Sequence, residues 1–124
     1  MSQLQGIVRF TFRDGQVEEF KRLSAVAMDI VRTKEPDTLQ YDTYFDADET
    51  RAVVLERFRD SQALIDHAAN IGPELTEAIM ATAEVVEGEL LGDLSPELAE
   101  QIAGSPVGLL TLYRSLEDAR AEGG

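Results

Sequence analysis

The spacing of hydrophobic positions changes several times along the chain, and each change predicts a different secondary-structure element. Apolar and mixed positions alternate over residues 5–13, which predicts a first strand that ends at Asp14 and Gly15. Apolar residues then recur at helical spacing over residues 16–34, so a long amphipathic helix is expected there. Pro36 ends this helix, because proline has no N–H to donate and clashes with the preceding turn.

A hairpin and a second helix are predicted next. Two alternating segments, residues 38–46 and 51–59, flank a short polar turn, which is typical of two antiparallel strands. Asp60 or Ser61 can then cap a helix that is expected to begin near Gln62.

The second half of the chain carries signals for a break, a strand and a short helix. Gly72 and Pro73 are expected to interrupt the second helix, with one or two helical turns after them. Residues 84–91 are predicted to form a strand. Ser95 is a suitable cap for a short helix that ends near Gly104.

The C-terminal residues complete one predicted domain over residues 1–124. A last strand is expected over residues 107–115, followed by a polar tail, residues 117–124, that is expected to be frayed. We therefore divide the domain into a core of about residues 5–91 and a helix-and-strand extension of about residues 95–116.

The element order predicts an α+β, ferredoxin-like fold, in which two helices cover one face of a four-stranded antiparallel sheet. Both faces of the predicted strands carry apolar residues, so the second face must also be covered. A second copy that packs its sheet across a twofold axis would cover it, which predicts a homodimer. The last strand would then extend into the sheet of the partner.

Composition narrows the classes of partner and location. The chain has 24 acidic and 11 basic residues, for a formal charge of -13, and this charge repels phosphate backbones and anionic membranes. We therefore expect neither nucleic acid nor membrane as a partner. The absence of cysteine excludes disulfides and thiolate chemistry and fits a reducing cytoplasm. We find neither a signal-peptide pattern nor an apolar run of about 20 residues that would span a membrane.

Four segments carry a resemblance to a known family. They are the helix exit at 32–36, the strand residues 39–41 and 54–58, and the capped helix start at 60–67. Together they resemble the antibiotic biosynthesis monooxygenase family, whose members form dimeric α/β barrels. The resemblance covers about residues 5–91, and the C-terminal helix and strand look like an extension found in some relatives.

The haem-degrading branch of that family resembles this chain least. That branch uses an asparagine on the first strand, a tryptophan near the start of the second helix and a histidine further along it. This chain has no tryptophan, and its first strand carries Arg9 and no asparagine. His67 occupies the place of the tryptophan, and Glu77 lies near that of the later histidine. Haem degradation is therefore not expected.

The resemblance implies a cofactor-independent monooxygenase that uses molecular oxygen to oxidise a small phenolic, quinol or polyketide-type aromatic compound. A base would generate a phenolate or carbanion, which passes an electron to oxygen, and recombination with loss of water would give a quinone. Neither a cofactor nor a metal is expected. A single histidine cannot form a two-histidine metal site, and no carboxylate spacing resembles a metal triad.

His67 and Glu56 are the candidate catalytic residues. His67 is the only histidine, and imidazole exchanges protons near neutral pH, so it can act as a base or proton relay. Glu56 lies on a strand beside apolar neighbours, where a carboxylate needs a partner, and we expect it to orient His67. The alternatives are a core or interface histidine and a structural ion pair.

Five further residues are candidates for binding the substrate. Tyr41 and Tyr44 point to opposite faces of their strand, so only one of them can line a given pocket. Either Tyr41 or Arg9 is suited to bind the substrate oxygen. Phe58 shares a face with Glu56, and Asn70 follows His67 by three residues on the same helix. The alternatives are aromatic packing for the tyrosines and a surface ion pair for Arg9.

Two other functions compete with the oxygenase. A dimer of this fold can be a non-catalytic protein that binds a small hydrophobic or aromatic ligand, because a fold alone does not determine function. An isomerase or lyase acting on a similar aromatic is the third alternative, since the same acid–base groups would serve it.

Overall fold

The computed structural model describes residues 3–123. Its first six secondary-structure elements follow the predicted order. The bounds of the elements are β1 (Leu4–Phe12), α1 (Val17–Lys34), β2 (Thr38–Phe45), β3 (Arg51–Phe58), α2 (Ser61–Met80), β4 (Ala83–Leu91), α3 (Pro96–Ile102), β5 (Gly108–Leu110) and α4 (Leu116–Gly123).

The strands form one sheet in the order β2-β3-β1-β4-β5. The first four are antiparallel, and β5 runs parallel to β4 at the edge. This is the predicted α+β ferredoxin-like fold, extended by one strand. We call the face that carries Phe10 and Val54 and packs on α1 the inner face, and the face that carries Arg9 and Val85 the outer face.

An aromatic cluster fixes α1 on the inner face. The apolar positions of α1 recur at helical spacing, and four of them are buried, among them Phe20. The Phe20 ring lies 5.1 Å from Phe10, 4.8 Å from Phe12 and 6.0 Å from Phe45, measured between ring centroids. Because three strand residues contact one helical ring, the position of α1 over the sheet is well determined.

The hairpin between β2 and β3 is closed by Asp46. Its Oδ1 atom accepts hydrogen bonds from the backbone N–H groups of Thr50, at 2.9 Å, and Arg51, at 3.0 Å. These bonds lower the pKa of Asp46 to about 2, the Arg51 N–H having the largest effect. The polar turn predicted from the sequence therefore has a specific carboxylate at its centre.

The second helix contains the predicted break but continues beyond it. Asp60 caps α2 by accepting a hydrogen bond from Ala63 N–H at 3.0 Å. Gly72 has φ 79° and ψ 163°, a conformation open to glycine, and Pro73 follows it. The buried residues of α2, namely Ser61, Ala63 and His67, all precede the break.

The C-terminal extension differs from the prediction in two respects. The strand expected over residues 107–115 is limited to β5, because β4 ends at Leu91, which pairs with Leu110, and offers no partner beyond it. Moreover, β5 pairs with β4 of its own chain, whereas the sequence had suggested the sheet of a partner.

The tail is helical where fraying was expected. The Ser115 hydroxyl accepts a hydrogen bond from Asp118 N–H at 3.0 Å, and Glu117 and Asp118 in the first turn favour the helix dipole. Arg114 also forms an ion pair with Glu122. Met1, Ser2 and Gly124, which the one-domain prediction included, lie outside the described residues. None of the described helices has the length and apolarity needed to cross a membrane.

Candidate active site

A small cavity lies between the inner face of the sheet and the two long helices. Its volume is about 60 Å³, and its lining combines apolar residues with four polar ones: Val8, Phe10, Phe20, Ser24, Tyr41, Thr43, Val54, Glu56 and Ile79. Tyr41 of β2 and Glu56 of β3 are direct cross-strand partners, so the sheet register places both at this cavity.

His67 lies close to this cavity on the first half of α2. It is buried, and its ring centroid is 5.3 Å from that of Tyr41 and 5.4 Å from that of Phe58. His67 does not itself line the cavity, whereas Tyr41 and Glu56 do. The imidazole is therefore next to the cavity wall and contacts it through Tyr41.

A buried carboxylate, that of Glu35, forms a hydrogen bond with the His67 ring. Nδ1 of His67 is 2.8 Å from Oε1 of Glu35, the residue that ends α1, and the two side chains are 10% and 3% exposed. A carboxylate only accepts hydrogen bonds, so Nδ1 carries the hydrogen and Nε2 of the neutral ring keeps its lone pair.

Two further donors converge on Glu35. The Thr38 hydroxyl donates to Oε1 at 2.8 Å, and Asn70 Nδ2 donates to Oε2 at 3.3 Å. Both carboxylate oxygens therefore have partners, which offsets the cost of burying the group. The prediction that Glu56 orients His67 is corrected here: the hydrogen-bonded carboxylate is Glu35.

The two polar groups that line the cavity beside His67 both favour their neutral forms. Burial raises the pKa of the Glu56 carboxyl; a positive charge on His67 acts in the opposite direction, and the negative Glu35 adds to the increase. Burial also raises the pKa of the Tyr41 phenol, with smaller contributions from the charges of Glu56 and Glu35. A carboxyl with a raised pKa can exchange protons closer to neutral pH than an exposed one.

The remaining predicted site residues divide between the two faces of the sheet. Arg9 lies on the outer face and donates to Glu89 at 3.1 Å, and Tyr44 is 54% exposed on the same face. The structure therefore does not bring Arg9 or Tyr44 to His67. Phe58 is fully buried in the core and contacts His67 without lining the cavity, and Asn70 reaches the site through Glu35.

Glu35 is the site residue that sequence reasoning missed as a chemical group. Its position could have identified it, because a negative charge at the C-terminal end of a helix opposes the helix dipole and needs a compensating interaction. Among residues 3–123, no group of three or more His, Asp or Glu side chains is arranged to hold a metal ion.

Comparisons with known proteins give the family. The model of the antibiotic biosynthesis monooxygenase family matches residues 6–84, which is more than half of the chain. No curated protein matches the sequence significantly.

Solved structures share the fold. MupZ from Pseudomonas fluorescens is 24% identical, with a TM-score of 0.81, and the match covers 94% of each chain. Rv0793 from Mycobacterium tuberculosis is 24% identical, with a TM-score of 0.62 over 76% of this chain and 97% of its own. SnoaB, a cofactor-independent oxygenase from Streptomyces nogalater, is 17% identical, with a TM-score of 0.63 over 77% of this chain and 96% of its own. On the family match, this chain belongs to the antibiotic biosynthesis monooxygenase family.

Proposed function

We propose that this protein is a cofactor-independent monooxygenase that oxidises a small phenolic, quinol or polyketide-type aromatic compound. The observation that carries the proposal is the side chain of Glu56, a carboxyl with a raised pKa in a cavity lined by five apolar and four polar residues, close to a histidine that Glu35 holds in one tautomer. Membership of the family and the fold shared with SnoaB support the same reaction class.

The proposed first step is proton removal from the substrate. Glu56 contacts the substrate and accepts the proton of a phenolic hydroxyl or of an activated C–H group. Its raised pKa suits this task, since a base is most effective when its pKa is near the working pH. His67 acts as base or relay by accepting this proton from Glu56. The resulting imidazolium is stabilised by Glu35, whose Oε1 lies 2.8 Å from Nδ1 of His67. Tyr41 donates a hydrogen bond to the substrate oxygen.

Oxygen then reacts with the electron-rich anion. One electron passes from the anion to O2, which gives a substrate radical and superoxide, and their recombination forms a carbon–oxygen bond in a peroxide. The peroxide takes the proton held by His67, and loss of the hydrogen on the same carbon to Glu56 then breaks the oxygen–oxygen bond, which leaves one oxygen atom in the quinone carbonyl. The other departs as hydroxide, which takes the proton from Glu56 and is released as water. The cavity contributes by excluding bulk water and by holding the substrate beside the base.

Oxygen uptake tests this proposal directly. We would measure uptake with a panel of monocyclic and bicyclic quinols for wild type, Glu56→Gln and His67→Ala, with Glu89→Gln on the outer face as a charge-matched control. We expect both site variants to lose at least about tenfold in rate, since general acid–base groups contribute about 10²- to 10⁴-fold. Equal rates in wild type and Glu56→Gln would refute the assignment of Glu56 as the base.

We also propose that the working form is a homodimer joined through the outer faces of two sheets. The outer face bears a depression of about 460 Å³, whose lining comes from strands and the β2–β3 turn alone. Tyr44 and Val85 are 54% and 46% exposed on this face. The buried Nε of Arg57, another outer-face residue, has no hydrogen-bond partner. Each of these features suits a surface that a second copy covers.

A non-catalytic binding protein is the second candidate, and one observation favours it: His67 is absent from the cavity lining. Under that hypothesis a quinol is oxidised in air no faster in the presence of the protein than in its absence. An isomerase or lyase would instead convert its substrate equally well under nitrogen and in air, so product analysis under both atmospheres separates the three functions.

A further inference from the structure

The cavity is smaller than the substrate that the proposed function requires. Its volume is about 60 Å³, whereas an apolar cavity of about 150 Å³ is known to hold benzene. If the proposed function is correct, on which this inference rests, some part of the wall must yield when an aromatic ring enters. The residue that forms the yielding part then determines which ring systems fit.

Three of the nine lining residues, Phe10, Phe20 and Val54, are buried in the core and hold part of the wall rigidly. Phe10 and Val54 are buried residues of the sheet, and Phe20 is only 2% exposed. Phe20 is also surrounded by the rings of Phe10, Phe12 and Phe45 at centroid distances between 4.8 and 6.0 Å. Displacing any of these side chains would disrupt close packing, which is costly in a protein core.

Ile79 is a partly buried residue of the wall that packs against the core cluster of Phe10, Phe20 and Val54, but it belongs to a segment with no buried residue. This segment, residues 73–80, begins after the break at Gly72. None of its residues is buried, although Ser61, Ala63 and His67 in the first half of the same helix are. Segments with few buried contacts open at a lower free energy than the rest of a fold.

The end of this segment is nevertheless anchored at its main chain. The carbonyl of Ile79 accepts hydrogen bonds from the hydroxyl of Thr82 at 2.6 Å and from its N–H at 3.1 Å, and Thr82 is 1% exposed. A shorter side chain at position 79 should therefore enlarge the cavity without moving the backbone.

We infer that Ile79 is the residue that determines the size of the aromatic ring system admitted to the cavity. In the wild type, the Ile79 side chain makes the site favour single-ring phenols and quinols over larger ring systems. Truncation of Ile79 opens it to bicyclic ones, while Glu56, Tyr41 and the His67–Glu35 pair remain in place.

The test compares binding of phenol and 1-naphthol under nitrogen, where no oxygenation can occur. Dissociation constants are measured by calorimetry for wild type, Ile79→Val and Ile79→Ala. We expect the affinity for 1-naphthol relative to phenol to rise by about tenfold in Ile79→Val, since one methylene in a pocket is worth about 10- to 200-fold. A larger rise is expected in Ile79→Ala. Met80→Ala is the matched control, because Met80 is the next residue, is 48% exposed and does not line the cavity.

Two outcomes would overturn the inference. The first is an affinity for 1-naphthol relative to phenol that is unchanged in both Ile79 variants, or that changes equally in Met80→Ala. The second is failure of the wild type and both Ile79 variants to bind either compound. Ile79→Val removes a single methylene and keeps the test valid if Ile79→Ala does not fold. Failure of the oxygenase proposal gives a different result, namely a shifted binding ratio without oxygen uptake by any of these proteins.

Discussion

Glu35 is a buried carboxylate at the end of a helix, and both of its oxygens have hydrogen-bond partners. Three side chains donate to it, and its two oxygens are both used. The amide introduced by Glu35→Gln would present one oxygen and one NH2 group, so it cannot accept from His67, Thr38 and Asn70 at once. We expect Glu35→Gln to lower the free energy of unfolding by about 1–3 kcal/mol, the cost of leaving a buried donor unpaired.

Urea unfolding measures this change. Glu18→Gln is the control, because the Glu18 side chain is 81% exposed beside Lys21 and a surface substitution should change stability by no more than about 0.5 kcal/mol. Nitrogen NMR of the His67 ring supplies an independent reading, since the structure requires the Nδ1–H tautomer in the neutral ring. An Nε2–H tautomer in the wild type would contradict the arrangement.

Glu56 makes stability depend on pH in a defined direction. Its pKa is raised above the ordinary value of 4.5 in the folded protein, so the folded state favours the protonated carboxyl. The resulting stabilisation is fully present below pH 4.5 and is lost as the pH rises through the raised folded pKa. Glu56→Gln is neutral at every pH, so its stability relative to wild type should increase with pH above 4.5 and then level off.

Urea unfolding of both proteins at several pH values between 4 and 8 would show this divergence. Glu89→Gln removes the same charge from an exposed ion pair with Arg9 and serves as the control. A constant difference between Glu56→Gln and wild type over the whole range would mean that the Glu56 carboxyl is not desolvated in solution.

At the scale of elements, α2 behaves as two helices of unequal stability. The first half carries Asp60 as cap and the three buried residues, and the second half has none buried. We expect the amides of residues 75–80 to exchange with deuterium about tenfold or more faster than those of residues 65–71, because fewer buried contacts oppose local opening. Mass spectrometry of peptides covering the two halves measures the difference. Equal protection would show that Gly72 does not separate them, and would weaken the role inferred for Ile79.

The elements also show which features the sequence could predict. The β2–β3 hairpin and the capped start of α2 follow from local patterns, and both form at the predicted positions. The length of β5 depends on where β4 ends, which is a contact between distant parts of the chain and leaves no local pattern. The tail was polar enough to suggest fraying, yet Ser115 and two acidic residues at its start stabilise a helix.

The candidate site, like the fold, could be predicted only in part from the sequence. His67 and Glu56 were identified as residue types suited to proton transfer and Tyr41 as one suited to bind the substrate oxygen, and the sheet register brings Glu56 and Tyr41 to one cavity. The partner of His67 was not predictable, because Glu35 lies 32 positions away and meets it only through the packing of α1 on α2. The two faces of the sheet could not be told apart either, so Arg9 was grouped with residues that lie on the other side.

At the scale of the whole molecule, association of two copies must overcome like charges. Each copy carries a formal charge of -13, and the range of the repulsion falls from about 10 Å at 0.1 M salt to about 3 Å at 1 M. The proposed outer-face contact is apolar at Val85 and Tyr44, and such contacts are not weakened by screening. We therefore expect the dimer dissociation constant, measured by sedimentation velocity, to decrease as sodium chloride is raised from 0.05 to 0.5 M, by roughly tenfold or more.

A matched pair of substitutions locates the contact surface. Val85 on the outer face is 46% exposed and Val26 on α1 is 44% exposed, so an aspartate at either position adds the same charge to a similar environment. Val85→Asp should shift the protein to monomer at micromolar concentration, because the introduced carboxylate would be buried without a partner between the two sheets. Val26→Asp should change the dissociation constant only through the added repulsion, which salt removes. Equal effects of the two substitutions at 0.5 M salt would place the interface elsewhere, and a monomeric wild type at every concentration would refute the dimer.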